Sequence, residues 1–243
     1  MAVSIDTVYQ KVLGILNKEQ RGYVTAQEFN LFANQAQLDL FEQYFYDINQ
    51  FGRIPGNSTE YSDMLNILNE KINVFETTAQ PTRTGNFFDE PTDLYRLGTV
   101  VYKNTTTNTF GVASTESIEA ERINANEFLY INSSPLTKPK NVRPVFVSNT
   151  SGIRVYGGSE ITAVNEVEFQ YIKRPAKAQW AYQLVFDEPL YDAANSVDFE
   201  LHPSEEVELV VKILELSGLL IKDYNFYNAV NQEEIETIQQ EKS

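Results

Sequence analysis

The sequence predicts an α+β fold, in which N-terminal and C-terminal helices pack in one helical layer and a small antiparallel β region is inserted between them. Apolar residues recur at helical spacing near both ends of the chain. After Phe75, Pro, Gly, Asn and Thr instead separate short runs rich in Val, Ile, Tyr and Phe, a pattern typical of β-strands. Because the terminal helices must bury their apolar stripes, we expect them to pack together.

The predicted single composite domain has two parts. Residues 1–75 and 200–243 are expected to form the helical layer, and residues 76–199 the β-rich insertion with one short helix. In the helical layer the apolar spacing predicts helices over residues 4–16 and 26–48, then a short helix capped by Ser62 and a last helix capped by Ser204. The buried stripe of the last helix is expected to contain Val207, Val210, Val211, Leu214 and Leu219.

The predicted strands share a high content of β-branched and aromatic residues and are bounded by turn-forming residues. They are residues 94–103, 109–113, 142–148, 152–156 and 166–173, with residues 182–186 as a further candidate. The first two and the next two are expected to form hairpins around residues 104–108 and 149–152. Residues 117–131 are expected to be the short inserted helix, because Ile118, Ile123, Phe128 and Leu129 are spread through them.

Composition limits the classes of function. The chain has 243 residues, of which 42% are hydrophobic, so it is long and apolar enough to bury a core. Its formal net charge of −15 disfavours tight binding of nucleic acid, whose phosphates are also negative. The absence of cysteine excludes disulfides and thiol catalysis. No signal peptide is evident, and residues 207–221 are too short and too charged to span a bilayer, so we expect no membrane association and assembly in the cytoplasm.

Residues 17–28 imitate an EF-hand calcium loop. Gly22 occupies the glycine position and Glu28 the closing carboxylate, while Asn17 and Glu19 supply oxygen atoms at the first and third positions. Arg21, however, occupies a ligand position with a group that only donates hydrogen bonds and repels a cation. The competing interpretation is a capping box, in which Thr25 and Glu28 satisfy the first amides of a helix. We favour the capping box, keep an EF-hand-like module at Asn17–Glu28 as an alternative function, and predict no metal site and no cofactor.

We predict no catalytic residues. His202 is the only histidine and precedes Pro203, where it is expected to serve the turn, because a catalytic base needs a nucleophile and an orienting partner. Phosphate-binding, dinucleotide-binding and nucleophile-elbow glycine motifs are absent from the sequence. Carboxylates are numerous, yet Glu205, Glu206 and Glu208 are explained by the favourable charge at a helix start. The protein is therefore not expected to be an enzyme.

An aromatic cluster in the late part of the chain suggests another alternative function, a carbohydrate-binding or hydrolytic component. Aromatic rings stack on sugars, but they more often pack in a core or an interface. The sequence leaves both uses open for Trp180, Tyr182, Phe186, Tyr191 and Phe199.

Three stretches of the chain carry a resemblance to a known family. The first stretch runs from Asp6-Thr-Val-Tyr through Asn17-Lys-Glu-Gln-Arg-Gly-Tyr23 and Glu28-Phe-Asn30 to Gln35-Ala-Gln-Leu38. The second is Pro91-Thr-Asp93-Leu-Tyr95-Arg. The third is Tyr171-Ile-Lys-Arg-Pro-Ala-Lys-Ala-Gln-Trp180, followed by Asp198-Phe-Glu-Leu-His-Pro-Ser-Glu205. With these stretches the chain resembles the head-to-tail adaptor proteins of tailed bacteriophages of the tail tubular protein A kind, and the opening is similar to ring proteins of crAss-like phages.

The resemblance implies a structural protein of the virion. Such a protein forms a ring beneath the portal, usually of twelve subunits, that extends the DNA channel and docks the next tail ring or tube protein. DNA would pass through without specific binding, which agrees with the acidic charge. The resemblance carries no active-site residues, and the chain is longer between residues 100 and 160 than compact adaptors.

Overall fold

The computed structural model describes residues 3–18, 24–51, 59–107, 113–186 and 188–221. The chain forms two compact units: a helical unit, Met1–Val74 with Pro175–Ser243, and a sheet unit, Phe75–Arg174. The expected β-rich part ended at residue 199, whereas the sheet unit ends at residue 174. The described elements are α1 (Ile5–Lys18), α2 (Ala26–Phe51), α3 (Thr59–Asn73), β1 (Glu76–Ala79), β2 (Arg83–Thr84), β3 (Phe87–Phe88), β4 (Leu94–Thr107), β5 (Ala113–Arg122), α4 (Ala125–Ser133), β6 (Val145–Asn149), β7 (Gly152–Tyr156), β8 (Glu160–Ile161), β9 (Val167–Lys173), β10 (Tyr182–Val185), β11 (Glu188–Tyr191) and α5 (Glu206–Ile221).

In the helical unit, α5 contacts α1 and α2, and α2 also contacts α3. The apolar stripe of α2 is buried as its spacing predicts, and it contains Phe29, Ala33, Ala36, Leu40 and Tyr44. The stripe of α5 differs from the prediction: Leu209, Val210, Ile213 and Leu214 are buried, whereas Val207 is exposed. Of the described helices, none is both long and apolar enough to cross a membrane.

In the sheet unit, nine strands form one sheet in the order β1-β9-β4-β5-β6-β7-β3-β2, and β8 pairs with β7. All neighbours are antiparallel except β5 and β6, which pair in parallel. The long β4 lies between β5 and β9 and connects the two halves of the sheet. One face buries a core of eleven side chains that includes Phe88, Phe146, Ile153 and Phe169.

The predicted fold class is wrong. The β part is a large mixed sheet with its own core, not a small antiparallel insertion in a helical layer. Strands β2, β3 and β8 have two residues each, which is too short for an alternating pattern to be seen in the sequence. Their positions are determined by pairing with β7 or with each other.

Strand β5 was also mispredicted, because part of it was expected to belong to the inserted helix. Its sequence, Ala-Ser-Thr-Glu-Ser-Ile-Glu-Ala-Glu-Arg, contains good helix formers and is almost entirely exposed, and residues 117–122 had been assigned to the inserted helix. Eight residue pairs with β4 nevertheless make it a strand, and the helix, α4, begins only at Ala125. Long-range pairing here overrides local propensity. The expected strand over residues 109–113 lies outside the described residues except for Ala113.

The start of α2 confirms the capping box. The backbone N–H of Glu28 donates to the Thr25 hydroxyl at 3.3 Å, and the backbone N–H of Thr25 donates to the Glu28 carboxylate at 2.9 Å. Val24 and Phe29, one residue before the cap and four after it, are both buried, the pattern of a hydrophobic staple. The Thr25 bonds lower the pKa of Glu28, the backbone bond contributing most.

We expect Thr25→Ala to destabilise the protein by about 1 kcal/mol, because the first amides of α2 lose their side-chain acceptor. Since the pKa of Glu28 is lowered by folding, its stabilising contribution is complete above the ordinary glutamate pKa and is lost as the pH falls through the lowered value. Urea denaturation at several acidic pH values measures both effects. Glu28→Gln should remove this pH dependence, and the exposed Gln27→Ala is the control. Equal stability of Thr25→Ala and Gln27→Ala would contradict the prediction.

Candidate interaction surface

The polar side chains of α2 hold the chain segment that leads to β10. Asn30, Asn34 and Gln37 donate to the backbone carbonyls of Trp180, Ala178 and Ala176 at 3.1, 2.8 and 2.7 Å respectively. Helix positions four apart are separated by about 6 Å, and alternate carbonyls of an extended chain by about 6.6 Å. The spacing i, i+4, i+7 therefore matches every second residue of an extended segment that runs antiparallel to the helix.

The ends of this segment are fixed by further bonds. The backbone N–H of Trp180 donates to the Asn30 side-chain oxygen at 2.7 Å, so Asn30 bonds both backbone groups of that residue. At the other end, the Gln37 side chain accepts from the backbone N–H of Glu200 at 3.2 Å, and Glu200 accepts from the backbone N–H of Ala176 at 2.9 Å. The segment is thereby attached to α2 without belonging to the large sheet.

Trp180 is the aromatic anchor of the segment. Its side chain is buried, only 3% of the residue is exposed, and its indole N–H donates to Asp6 of α1 at 3.1 Å. The indole ring packs on Tyr9 with a centroid distance of 4.1 Å and stacks with Tyr182 and Tyr191 at 5.8 and 5.7 Å. A sugar stacks on an exposed ring face, so the burial of Trp180, like that of Phe199, weighs against carbohydrate binding at these two residues.

Strands β10 and β11 form a separate two-stranded hairpin whose base contacts Trp180. Tyr182 pairs with Tyr191 at its base, and both rings stack with Trp180. Just after β11, the Asp192 carboxylate accepts from the side chains of Asn195 at 2.8 Å and Gln183 at 3.0 Å. These bonds, the Asn195 bond first, lower the pKa of Asp192. The base of the hairpin is therefore fixed by stacking and by hydrogen bonds.

The tip of the hairpin presents apolar side chains to solvent. Leu184, Val185 and Leu190 are exposed, and Phe186 is 98% exposed. Val185 pairs with Glu188, so two residues close the loop, and Phe186 has a φ of +53°. Two-residue hairpin loops favour Gly, Asn or Asp at positions of positive φ, where a bulky side chain is disfavoured. Phenylalanine is therefore unfavourable at this position in two respects, because its backbone has a positive φ and its apolar ring is exposed to water.

We expect Phe186→Asn to make the isolated protein more stable by about 1 kcal/mol, because asparagine tolerates the left-handed conformation that phenylalanine disfavours. Thermal or urea denaturation of dilute protein measures the change. Leu184→Asn is the matched control, since it removes an exposed apolar side chain from regular strand backbone and should give no stabilisation. A destabilised Phe186→Asn would contradict the prediction.

The residues of the calcium hypothesis are only partly described. Residues 19–23 lie outside the described part of the chain, and the Glu28 carboxylate is engaged by Thr25 at the helix start. Within the described ranges, no group of three or more His, Asp or Glu side chains is placed to hold a metal ion. The EF-hand alternative gains no support from these contacts.

His202 caps a turn. Its Nδ1 atom accepts from the backbone N–H of Ser204 at 3.3 Å, at the start of the 3-10 turn Pro203–Glu205 that leads into α5. His202 therefore caps the 3-10 turn, and α5 itself begins at Glu206, two residues after the predicted cap Ser204. The Ser204 hydroxyl lies 2.8 Å from His202 Nδ1 and donates to Glu205 at 2.9 Å. In a serine nucleophile site the histidine lies between the serine and the carboxylate, and here the serine lies between them.

The three stretches that resemble phage adaptors contact one another within each unit. In the helical unit, Asp6, Asn30 and Gln37 bond the segment at 176–180, and Asp198 accepts from the backbone N–H of Ile5 at 2.9 Å. In the sheet unit, Asp93 accepts from the Tyr171 hydroxyl at 3.0 Å and from the backbone N–H of Arg174 at 2.7 Å. The residues behind the resemblance thus hold the backbone in position.

The sequence did not predict the hydrogen bonds from the amide side chains of α2 to the segment at 176–180, nor the β10–β11 hairpin. The amide side chains do leave a signal in the sequence, since Asn30, Asn34 and Gln37 are polar residues at helical spacing beside the buried stripe of α2. The hairpin has a weaker one, since β10 was a candidate strand but its loop lacks the Asn-Gly or Gly pattern of a short turn. The exposure of Phe186 has no signal in the sequence.

No protein-family model matches this chain, and no curated protein is significantly similar to it. The function is therefore inferred from the residues, their contacts and the resemblance given above.

Proposed function

We propose that this protein is a virion structural protein, a subunit of a head-to-tail connector ring below the portal of a tailed phage. The ring extends the DNA channel and docks the next tail component. It assembles in the host cytoplasm and remains in the neck of the particle. Its partners are further copies of itself, usually twelve in such rings, together with the portal protein and the downstream tail ring or tube protein.

The exposed tip of the β10–β11 hairpin is the observation that carries this proposal. A fully exposed Phe186 on unfavourable backbone, supported by a base fixed through Trp180 and Asp192, suits an element that binds another protein. Aromatic residues at rigid positions bind with a small loss of conformational entropy. A subunit that functions by assembling with other proteins needs an exposed apolar element of this kind to bind its neighbours.

The charge supports the channel part of the proposal. The chain carries 34 acidic and 19 basic residues, a formal net charge of −15. An acidic channel wall repels DNA phosphates, so the genome can pass without being retained. The contacts of Asp6, Asn30 and Asp93 support it further, because these side chains hold Trp180 and Tyr171 in place, and residues that maintain the fold are what a structural family is expected to share.

Cryo-electron microscopy of particles of the virus that encodes the chain tests the proposal. The expected result is a ring of this protein at the portal vertex, with the DNA channel through its centre. Mass measurement of the purified protein, alone and with the portal protein, gives an independent result, since a ring-sized oligomer is expected at least in the presence of the portal. Presence only in the host cytoplasm, with none in particles, would refute the proposal.

A further inference from the structure

The sheet unit has a long strand edge with no described partner. Strand β5 pairs with β4 on one side through eight consecutive residue pairs, at residues 113–120. On its other side only Glu121 and Arg122 pair, with β6. Within the described part of the chain, no strand lies on that side of residues 113–120, and all of them except Ile118 and Ala120 are exposed. We call the open side of residues 113–120 the β5 edge.

The β5 edge lacks the features that usually protect a sheet edge. Proteins prevent an edge strand from pairing with other chains by making it short, or by placing a proline, a bulge or a lysine in it. The outer strands β1 and β2 have four and two residues, and Pro81 follows β1 two residues later. The β5 edge has eight residue positions, no proline, lysine or arginine, and no shift in its register with β4. Among the described strands, it is the longest edge open to a further strand.

The backbone of the β5 edge specifies the shape of its occupant. In an antiparallel ladder, alternate residues direct both backbone groups to the same side of the strand. About four residues of the edge therefore direct an N–H and a C=O group away from β4, over a length of roughly 27 Å. An extended chain matches donors and acceptors at this spacing and adds to the sheet as a further strand.

Two carboxylates determine the charge of that occupant. Glu116 lies opposite Asn104 and Glu119 lies opposite Val101 in β4, so neither has a cation facing it across the ladder. None of the described residues forms an ion pair or a side-chain hydrogen bond with either carboxylate. Both glutamates are exposed. A strand that pairs with the edge would therefore lie directly beside two uncompensated negative charges.

The basic residues close to the β5 edge are engaged elsewhere. Lys103 of β4 pairs with Glu168, and Arg143 pairs with Glu121 at 3.0 Å. Arg122 lies beyond the edge, at a position that already pairs with β6. The same edge of a second copy is consequently disfavoured as the occupant, because the pair would contain four glutamates and no cation, and like charges on neighbouring strands repel.

We propose that the β5 edge binds an extended, basic segment of another protein, which adds a strand to the sheet. Successive side chains of a strand alternate between its faces, so Glu116 and Glu119 lie on opposite faces. A segment that faces both carboxylates therefore carries lysine or arginine at two positions three residues apart, in either strand direction. The half-buried Ile118 favours an apolar residue opposite it. This contact depends neither on the hairpin tip nor on the proposed ring.

A synthetic peptide of this chemistry tests the contact. In the octapeptide Val-Lys-Val-Thr-Lys-Thr-Val-Thr, antiparallel pairing places the two lysines opposite Glu119 and Glu116 and a valine opposite Ile118. By fluorescence anisotropy the labelled peptide is expected to bind at least about tenfold more tightly than the same peptide with glutamates in place of the lysines. Methylation of its three central backbone nitrogens should weaken binding at least about tenfold, because it blocks strand pairing and keeps the charge. Equal binding of the three peptides, or no binding at the highest concentration reached, would overturn the proposal.

Charge reversal on the protein tests whether the two glutamates select the peptide. Glu116→Lys/Glu119→Lys should reverse the preference, so that the glutamate peptide binds more tightly than the lysine peptide. Glu42→Lys/Glu70→Lys is the matched control, since it makes the same change of net charge at exposed positions of α2 and α3. The control should keep the preference of the natural chain. An equal effect of both double variants would overturn the proposal in favour of a general attraction between charges.

Amide hydrogen exchange read by mass spectrometry locates the bound peptide. Protection is expected at residues 113–120, at about four amides, because the others already bond to β4. Protection elsewhere would overturn the proposal, and so would concentration-dependent protection of these residues in the protein alone, which would assign the edge to a second copy. A ring in particles without peptide binding would refute this contact alone, and peptide binding without a ring would refute the neck location alone.

Discussion

Trp180→Ala is expected to lower the free energy of unfolding by about 3–5 kcal/mol, because it removes a large buried side chain and leaves a cavity. For a chain of this size the corresponding fall in Tm is roughly 10 °C. The indole contacts α1 through Asp6 and Tyr9 and the hairpin through Tyr182 and Tyr191, so its loss loosens both. Thermal and urea denaturation measure the effect.

Trp180→Phe is the matched control for this prediction. It keeps an aromatic ring in the core but removes the indole N–H that donates to Asp6 at 3.1 Å, so its effect should be about 1–2 kcal/mol. If Trp180 served carbohydrate binding instead, Trp180→Ala would abolish binding on a glycan array with little change in stability. A Tm unchanged within about 1 °C would contradict the structural role.

Lys71→Met is expected to be the second most destabilising change, at about 3–5 kcal/mol, because it leaves Glu205 charged and buried without its partner. The Lys71 amino group lies 2.8 Å from the Glu205 carboxylate, and the side chains are 16% and 3% exposed. The same amino group lies 5.6 Å from the centroid of the Tyr44 ring. The pair thus joins α3 to the turn before α5, and urea denaturation measures its removal.

The double variant Lys71→Met/Glu205→Leu separates loss of the pair from loss of packing. Because two apolar side chains replace two buried charges, it is expected to be more stable than Lys71→Met alone, although it has one more substitution. Lys138→Met, which removes an exposed lysine, is the control and should change the free energy by less than about 0.5 kcal/mol. If the double variant were less stable than Lys71→Met, the destabilisation would come from packing.

These two changes also distinguish effects on the stability of the fold from effects on assembly through the hairpin. Trp180→Ala weakens the base of the hairpin and should therefore reduce assembly as well as stability. Lys71→Met acts on α3 and α5, which do not contain the hairpin, so a folded fraction of this variant should still assemble. Phe186→Asn gives the opposite combination, since the isolated protein gains stability while assembly is lost.

The helices were largely predictable. The beginning of α1 was predicted within one residue, α2 began where Thr25 and Glu28 form their capping box, and the stripe of α2 from Phe29 to Tyr44 is buried. Helical hydrogen bonds join residues four apart, and the side chains of one face recur with the same short spacing. The information is therefore contained in any window of about fifteen residues. On α5, many apolar residues in a row gave no single stripe, and Val207 was misassigned.

The sheet was predictable only in part. The hairpin of β6 and β7 and the strand β9 have β-branched and aromatic residues, and the structure confirms them. Strand β5 has helix-forming residues and short strands such as β2 have no pattern, so their state depends on pairing with residues far away in the chain. The size of the sheet, and with it the fold class, was therefore beyond local patterns.

The sequence by itself determined the helices α1 and α2, the cap at Thr25, the acidic charge and the absence of cysteine chemistry, because each depends on neighbouring residues or on composition alone. The third helix was predicted to be capped by Ser62, whereas α3 begins at Thr59. The tertiary structure alone decided that Asn30, Asn34 and Gln37 hold the segment at 176–180, that Trp180 is buried, and that Phe186 is exposed. These features join residues about 140 or more positions apart or depend on what covers a side chain. The hairpin tip proposed to build the ring is one of them.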